Sequence, residues 1–267
     1  MDPRDVSSSD NWDELTFSLR GQYEVCEGWN IFGGASQGFR APNVTDLSGN
    51  LTSRSGEQET GSLDLDPETT WTFELGSRVA QDRWSGQISG FYTLVDDVIT
   101  RVPGDDGRVT TNGVDADIYG IELEGNYFVT PDWLLSGFLT WQEGRQDVPE
   151  FIGGPTDEQW VSRLSPLRGG VALRYQPVGG NWWVEGRVTA AAEQDKLSEG
   201  DKGDTQRIPP GGTPSYVVAS MTSGWQVNES LLLTLGLENI TDEDYRIHGS
   251  GVNGPGFGAI FGVQVEW

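Results

Sequence analysis

Ala259-Ile260-Phe261-Gly262-Val263-Gln264-Val265-Glu266-Trp267 reads with a period of two. Ala259, Phe261, Val263, Val265 and Trp267 fall on one side, and Gly262, Gln264 and Glu266 on the other. Successive side chains of a strand point to opposite sheet faces, so this stretch predicts a strand with one apolar and one polar face. The same alternation recurs upstream. Leu231, Leu233, Leu235 and Leu237 oppose Thr234, Gly236 and Glu238. Leu167, Val171, Leu173 and Tyr175 oppose Arg168, Arg174 and Gln176, and Tyr119, Ile121, Leu123 and Tyr127 oppose Gly120, Glu122, Glu124 and Asn126. Eleven such runs are expected, near 12–22, 28–39, 68–80, 84–99, 117–128, 132–144, 164–176, 181–193, 214–226, 230–240 and 257–267, with no sustained helical period between them.

An apolar face can be the core of a soluble sandwich or the lipid surface of a membrane barrel. The runs favour the barrel, since at about 11–13 residues they exceed ordinary soluble strands and suit tilted membrane strands. Aromatic residues near the ends of the apolar faces (Trp71, Trp133, Trp141, Trp182, Trp225 and Trp267) suit interfacial girdles. The connections alternate in length without a break. Short ones are expected at 23–27, 81–83, 129–131, 177–180 and 227–229, and long ones at 40–67, 100–116, 145–163, 194–213 and 241–256. Membrane barrels sort short periplasmic turns from long outer loops in this way, and a sandwich has no reason to.

Composition is compatible with that reading. Mean hydropathy is -0.44, and no stretch is long and apolar enough for a helical span. A barrel strand meets lipid only at every second residue, so its average stays near neutral. The net charge of -24 argues against nucleic acid as a partner, which needs clustered Lys and Arg. Aromatic residues at 10% argue against disorder despite the acidity. The single Cys26 can form neither an internal disulfide nor a cysteine metal cluster. Met1 to Asp10 has neither a basic nor an apolar signal-peptide region. Eleven antiparallel strands cannot close simply, and two open edges in lipid are costly, so the expected fold is part of a larger barrel.

Several segments resemble, in order, those of the TonB-dependent outer-membrane receptors. Gly38-Phe39-Arg40-Ala41-Pro42 is similar to the family's strand end before a long loop. Leu65-Asp66-Pro67-Glu68 with Phe73-Glu74-Leu75-Gly76, then Gly90-Phe91-Tyr92 with Asp97-Val98-Ile99, then Gly120-Ile121-Glu122-Leu123-Glu124-Gly125, resemble the succeeding strands. Gly236-Leu237-Glu238-Asn239-Ile240-Thr241-Asp242-Glu243-Asp244-Tyr245, with Pro255-Gly256 and the last strand, is the most specific match; Phe257 stands where the family often has Arg.

The resemblance implies an all-β, antiparallel up-and-down transmembrane barrel, with residues 1–267 as the C-terminal half of a 22-stranded wall. A plug and a TonB box would lie in a missing N-terminal region, together with the other barrel half. The implied function is TonB-dependent uptake of a scarce ligand such as a ferric siderophore or similar metal chelate, in the cell outer membrane. Implied partners are outer-membrane lipid, TonB and the barrel assembly machinery, whose signal would be Phe261, Val263, Val265 and Trp267. The alternatives are a passive porin or surface-adhesion barrel, haem uptake, or a soluble β-sandwich binding module.

Catalytic chemistry is not expected. No Gly-x-Ser-x-Gly elbow, Walker motif or dinucleotide fingerprint occurs. Glu122 and Glu124, about 7 Å apart along one face by the strand rise, fit a lumen lining with Arg78, Arg168, Arg174, Glu185 and Arg187 better than an acid–base pair. The acidic run 193–204 lacks regular calcium-loop spacing, so neither a metal site nor a cofactor is assigned. Candidate ligand contacts are loop residues: His248 and Arg246 in Arg246-Ile247-His248-Gly249-Ser250-Gly251, and Trp160 and Arg163, with Phe151 and Trp141 nearby. His248, the only histidine, could ligate haem through its imidazole, but residues 43–67 carry none of the histidine that the haem-uptake branch usually has there.

Overall fold

The computed structural model describes residues 11–52, 56–113 and 115–267; Met1 to Asp10, considered above as a leader, lies outside them. In chain order the elements are β1 (Ser18–Cys26), β2 (Trp29–Arg40), α1 (Val44–Ser48), β3 (Asn50–Thr52), β4 (Gln58–Thr60), β5 (Glu68–Ala80), β6 (Trp84–Asp96), β7 (Ile99–Gly104) and β8 (Gly107–Asn112). They continue with β9 (Asp115–Thr130), β10 (Trp133–Pro149), β11 (Thr156–Trp160), β12 (Arg168–Tyr175), β13 (Trp182–Ala191), α2 (Glu199–Gly203), β14 (Tyr216–Asn228), β15 (Leu231–Glu238) and β16 (Gly258–Val265).

Eleven strands form one antiparallel meander, β1-β2-β5-β6-β9-β10-β12-β13-β14-β15-β16, each paired with its neighbour in sequence along the wall. The short β11 adds to the far end of β10 and brings the sheet to twelve strands. β1 and β16 are the two edges of this curved, unclosed sheet. The eleven expected runs correspond to these eleven strands. The first is displaced: β1 extends through Cys26, and the turn is only Glu27 and Gly28. Gly28 takes φ +73°, a conformation open to glycine, and Tyr23 and Glu24 continue the alternation rather than ending it. β12 starts at Arg168, after Pro166, whose missing N–H cannot join a ladder. β10 runs past the apolar pattern to Pro149 because β11 pairs with its end.

Register fixes the two faces. Tyr23, Ile31, Leu75, Ile88, Leu123, Leu135, Leu173, Val188, Leu233 and Val263 share one face, and most of its large apolar side chains are exposed. Among the described residues, no second layer covers them. Leaving each such side chain in water would cost about 1.5–3 kcal/mol, so this face belongs in lipid and the sandwich alternative fails. The opposite face carries Arg78, Glu122, Glu124, Arg168, Arg174, Glu185 and Arg187, as expected for a wet lumen. There Arg187 pairs with Glu185 at 2.9 Å, and Arg78 donates twice to Gln87.

Two aromatic bands border the lipid face. Near the short turns, Trp133, Tyr175 and Trp182 pack in succession as tilted rings, with centroids 4.7 and 5.4 Å apart, and Trp182 lies opposite Trp225. Near the long loops, Trp71 packs on Phe73, while Tyr92, Tyr119 and Trp141 form a second row.

The lumen face shows a repeated device that periodicity does not reveal. Phe32, Phe91, Phe138 and Trp183 each lie directly across from a glycine: Gly76, Gly120, Gly170 and Gly224. A Cβ at Gly120 or Gly170 would stand 2.6 or 2.7 Å from the facing phenyl ring. Each ring therefore covers bare backbone on the neighbouring strand. Arg174 then lies over Trp183 at 4.0 Å, adding a cation–π contact.

Candidate functional site in the long loops

The five long connections emerge at one end of the sheet and fold into two bodies. The first two, between β2 and β5 and between β6 and β9, build a small second sheet in the order β3-β4-β8-β7, with β4 and β8 parallel. The sequence predicts loops over 40–67 and 100–116, whereas four short strands form there. They lack the long alternation of the wall strands, and their pairing joins residues from two different connections. Val102 is fully buried here, and Leu65 and Thr110 nearly so.

Polar contacts fasten this body to the wall. Arg40, at the end of β2, makes a two-pronged contact with Glu68 at the start of β5 (2.6 and 2.8 Å) and also reaches Asp46 at 3.1 Å. Glu68 in turn accepts the backbone N–H of Ile99. Phe39-Arg40 and Pro67-Glu68, separate motifs in the sequence, are thus two halves of one clamp. Asn43 caps α1, and the Asp46 carboxylate answers by accepting the Asn43 N–H. Asn112 donates to the carbonyls of Asp66 and Asp97 and accepts from the Asp66 N–H, tying the second connection to the first.

The remaining three connections form the body that holds the candidate residues. Gln194 and Thr213 bridge the base of the fourth connection by paired backbone bonds. Within it, Ser198 begins the one-turn helix α2, with Ser198 and Asp201 as reciprocal caps. Asp201 is only 2% exposed. Its carboxylate accepts from Ser162 Oγ at 2.6 Å and from the backbone N–H groups of Arg163 and Ser198. A buried carboxylate needs such donors to remain tolerable. Arg163, held at φ +59°, turns its guanidinium to Asp204 at 3.0 Å, and Arg207 reaches the same oxygen at 2.9 Å.

His248 completes the contact from the fifth connection. Its Nδ1 lies 2.9 Å from Thr213 Oγ1, and its Nε2 is buried without a hydrogen-bond partner. Burial pushes its pKa below the ordinary 6.5; the Asp201 carboxylate opposes that shift and the Arg163 cation reinforces it. Arg246 donates to Asn253 Oδ1 at 2.8 Å and to the Gln206 carbonyl. The connection itself is fixed by Asn239, which is buried at φ +46°. Asn239 donates to the carbonyls of Glu243 and Pro255 and accepts from the Glu243 N–H. Asp242 accepts the Phe257 N–H, and a Cβ at Gly256 would stand 2.6 Å from that carboxylate. Asn239, Asp242 and Pro255-Gly256 are therefore a closure for the last loop.

The structure brings His248 and Arg163 together, with Arg246 one step away beside residue 206. Trp160 is elsewhere. It ends β11 opposite Arg145, whose guanidinium sits 3.2 Å above its ring, and Lys196, which is paired with Glu143, flanks it at 4.9 Å. Phe151 is exposed in the same connection, and Trp141 belongs to the girdle. The acidic run 193–204 folds as the α2 turn, and among the described residues no cluster of His, Cys, Asp or Glu is placed to hold a metal ion. Sequence reading missed Arg207 and Thr213, and took Asp201 and Asp204 only as members of the acidic run 193–204. Only the Ser198-x-x-Asp201 spacing, a capping signal, marked any of them.

A family model described as "TonB dependent receptor-like, beta-barrel" matches residues 2–240. The chain belongs to this family. The TonB-dependent receptor barrel is 24% identical over 248 residues to the pesticin receptor of Yersinia enterocolitica, covering 90% of this chain and 33% of that protein. It is 29% identical over 142 residues to the iron-regulated outer membrane virulence protein of Vibrio cholerae, covering 48% and 22%. Among solved structures, the copper transporter OprC superposes with a TM-score of 0.76 at 20% identity, over 93% of this chain and 38% of that one. The FrpB iron transporter of Neisseria meningitidis does so at 0.73 and 15%, over 94% and 39%. The chain thus spans about a third of the length of the curated relatives it matches. It is wall and loops of an outer-membrane barrel. The names of these relatives include a receptor and transporters.

Proposed function

We propose that the chain is the C-terminal wall and outer-loop part of a receptor that imports a ferric siderophore or similar metal chelate. In the whole protein TonB would act through an N-terminal region and a plug inside the barrel. The observation that carries this reading is the sorting of five long connections to one rim, where they fold against each other above a charged lumen face. A passive pore has little use for loops clamped into ordered bodies, whereas a receptor needs a preorganised surface. The names of the iron-regulated outer membrane virulence protein and the FrpB iron transporter support iron as the metal carried.

The test uses the full-length protein in an outer-membrane host stripped of its own iron receptors. Uptake of radioactive iron supplied as siderophore complexes should appear with the receptor and vanish when TonB is deleted. Free permeation of small sugars, equal with and without TonB, would identify a passive porin and overturn the reading.

A further inference from the structure

The two aromatic bands of the lipid face are eight residues apart on β6, β9 and β10. Trp84 and Tyr92, Tyr127 and Tyr119, and Trp133 and Trp141 are the pairs. Register keeps all six on the lipid face. The lower band continues without a break through Tyr175 on β12, Trp182 on β13 and Trp225 on β14. The same step of eight from these three residues leads to Leu167, Ala190 and Val217. The outer band therefore lacks its aromatic rings across three consecutive strands.

Side-chain size falls at the same place. One level of the wall runs Ile88, Leu123, Leu139, Gly169, Ala190, Val217 from β6 to β14. Gly169 and Ala190 sink the surface between Leu139 and Val217, and a groove of about 510 Å³ opens there. Ser215 and the exposed Glu243 stand at its end toward the outer loops. Asn239 holds Glu243 in place by binding both its backbone N–H and its carbonyl. Leu139 and Val217, the apolar walls, are exposed on the lipid face at the depth of the outer leaflet. They stand three strand spacings apart, roughly 14 Å between backbones. Their own side chains narrow that gap, so a helix about 10–12 Å thick does not seat between them. A slender acyl chain fits along the groove.

We propose that this groove binds one acyl chain of an outer-leaflet glycolipid, which takes the place of the missing aromatic anchors. Aromatic rings hold a barrel at the membrane surface because one end is apolar and the other wet. A seated lipid supplies both: its chain covers Gly169 and Ala190, and its head meets water. The Ser215 hydroxyl and the Glu243 carboxylate accept hydrogen bonds, and the hydroxyl and amide N–H groups of a sugar head donate them. A carboxylate at that place repels a bare phosphate head, which favours the sugar. The site lies on the outside of the wall and is independent of the imported ligand.

The experiment uses full-length receptor in mild detergent, incubated with rough lipopolysaccharide or with phosphatidylethanolamine and then washed. Native mass spectrometry reads what stays bound. The unsubstituted receptor should retain one lipopolysaccharide per barrel, in preference to phosphatidylethanolamine. Ala190 is the position to fill, because a Cβ at Gly169 would stand 2.9 Å from the Phe138 carbonyl. A190W restores the missing ring and should cut retention on the order of tenfold, with heat-modifiable folding intact. S215A combined with E243A should abolish the preference for the glycolipid; both positions lie outside the strands, so this variant decides the matter if A190W folds poorly. I88W, which adds an indole at the same level outside the groove, should leave retention unchanged. Retention of neither lipid, no preference between them, or retention undiminished in A190W would overturn the proposal. So would a complex of two receptor copies that A190W dissolves, since the gap would then be a protein interface.

Discussion

At the scale of single residues, the family-like motifs turn out to be hydrogen-bonding devices. Asn239 is the clearest. It sits in the left-handed region, which costs most other residues about 1–2 kcal/mol, and its amide closes the last loop from both ends. N239A should lower the unfolding free energy of the full-length protein by about 3 kcal/mol or more, since buried groups left unpaired cost roughly 1–3 kcal/mol each. N239G should recover only the backbone part. Denaturation of the reconstituted protein followed by tryptophan fluorescence reads both, and full recovery of stability in N239G would dismiss the hydrogen-bond account. The motif containing Asn239 was visible in the sequence, but its task was not. The partners lie four and sixteen residues away in a connection without periodicity. The glycine-facing aromatics were hidden for a similar reason: each ring and its glycine lie on different strands, joined only by register.

At the scale of elements, the wall strands were legible because lipid on one side and water on the other impose a period of two. The loop bodies were not, since their order comes from side-chain contacts between connections distant in sequence. His248 shows what such a contact does. Burial holds its folded pKa below the ordinary 6.5. The folded protein therefore binds fewer protons than the unfolded chain as pH falls below that value. The stabilisation is present above pH 6.5 and is lost as pH drops toward the lowered folded value. Hydrogen-exchange protection of residues 192–215 and 239–257, corrected for intrinsic rates, should weaken on acidification from pH 7 to about pH 5. In H248Q that pH dependence should flatten. Protection that rises on acidification would contradict the assignment. The charged groups around the ring, Asp201 from α2 and Arg163 from beyond β11, are the ones whose balance sets the response.

At the scale of the whole molecule, the division into lipid and lumen faces makes opposite demands on adjacent residues. Leu123 lies midway between Tyr119 and Tyr127 on the lipid face, and Glu124 faces the lumen. An arginine near the bilayer midplane costs about 2–4 kcal/mol, whereas a lumen position remains wet. L123R should sharply reduce the heat-modifiable, folded receptor recovered from outer membranes, and E124R should leave its amount near that of the unsubstituted protein. Equal loss in both would mean that the faces are assigned wrongly.

Strand direction carries one last consequence. β1 ends at the short turn before β2, and β16 follows the last long connection, so both edges run toward the same rim. Two such edges meet only as a parallel pair, out of keeping with the antiparallel wall. A twofold axis that paired β1 with β1 of another copy would lie in the membrane plane and turn that copy's outer loops inward. With the described strands alone, two copies therefore cannot complete one another as an antiparallel wall with all outer loops on one side. An antiparallel ring through these eleven strands closes only with an odd number of others, entering and leaving in the opposite sense.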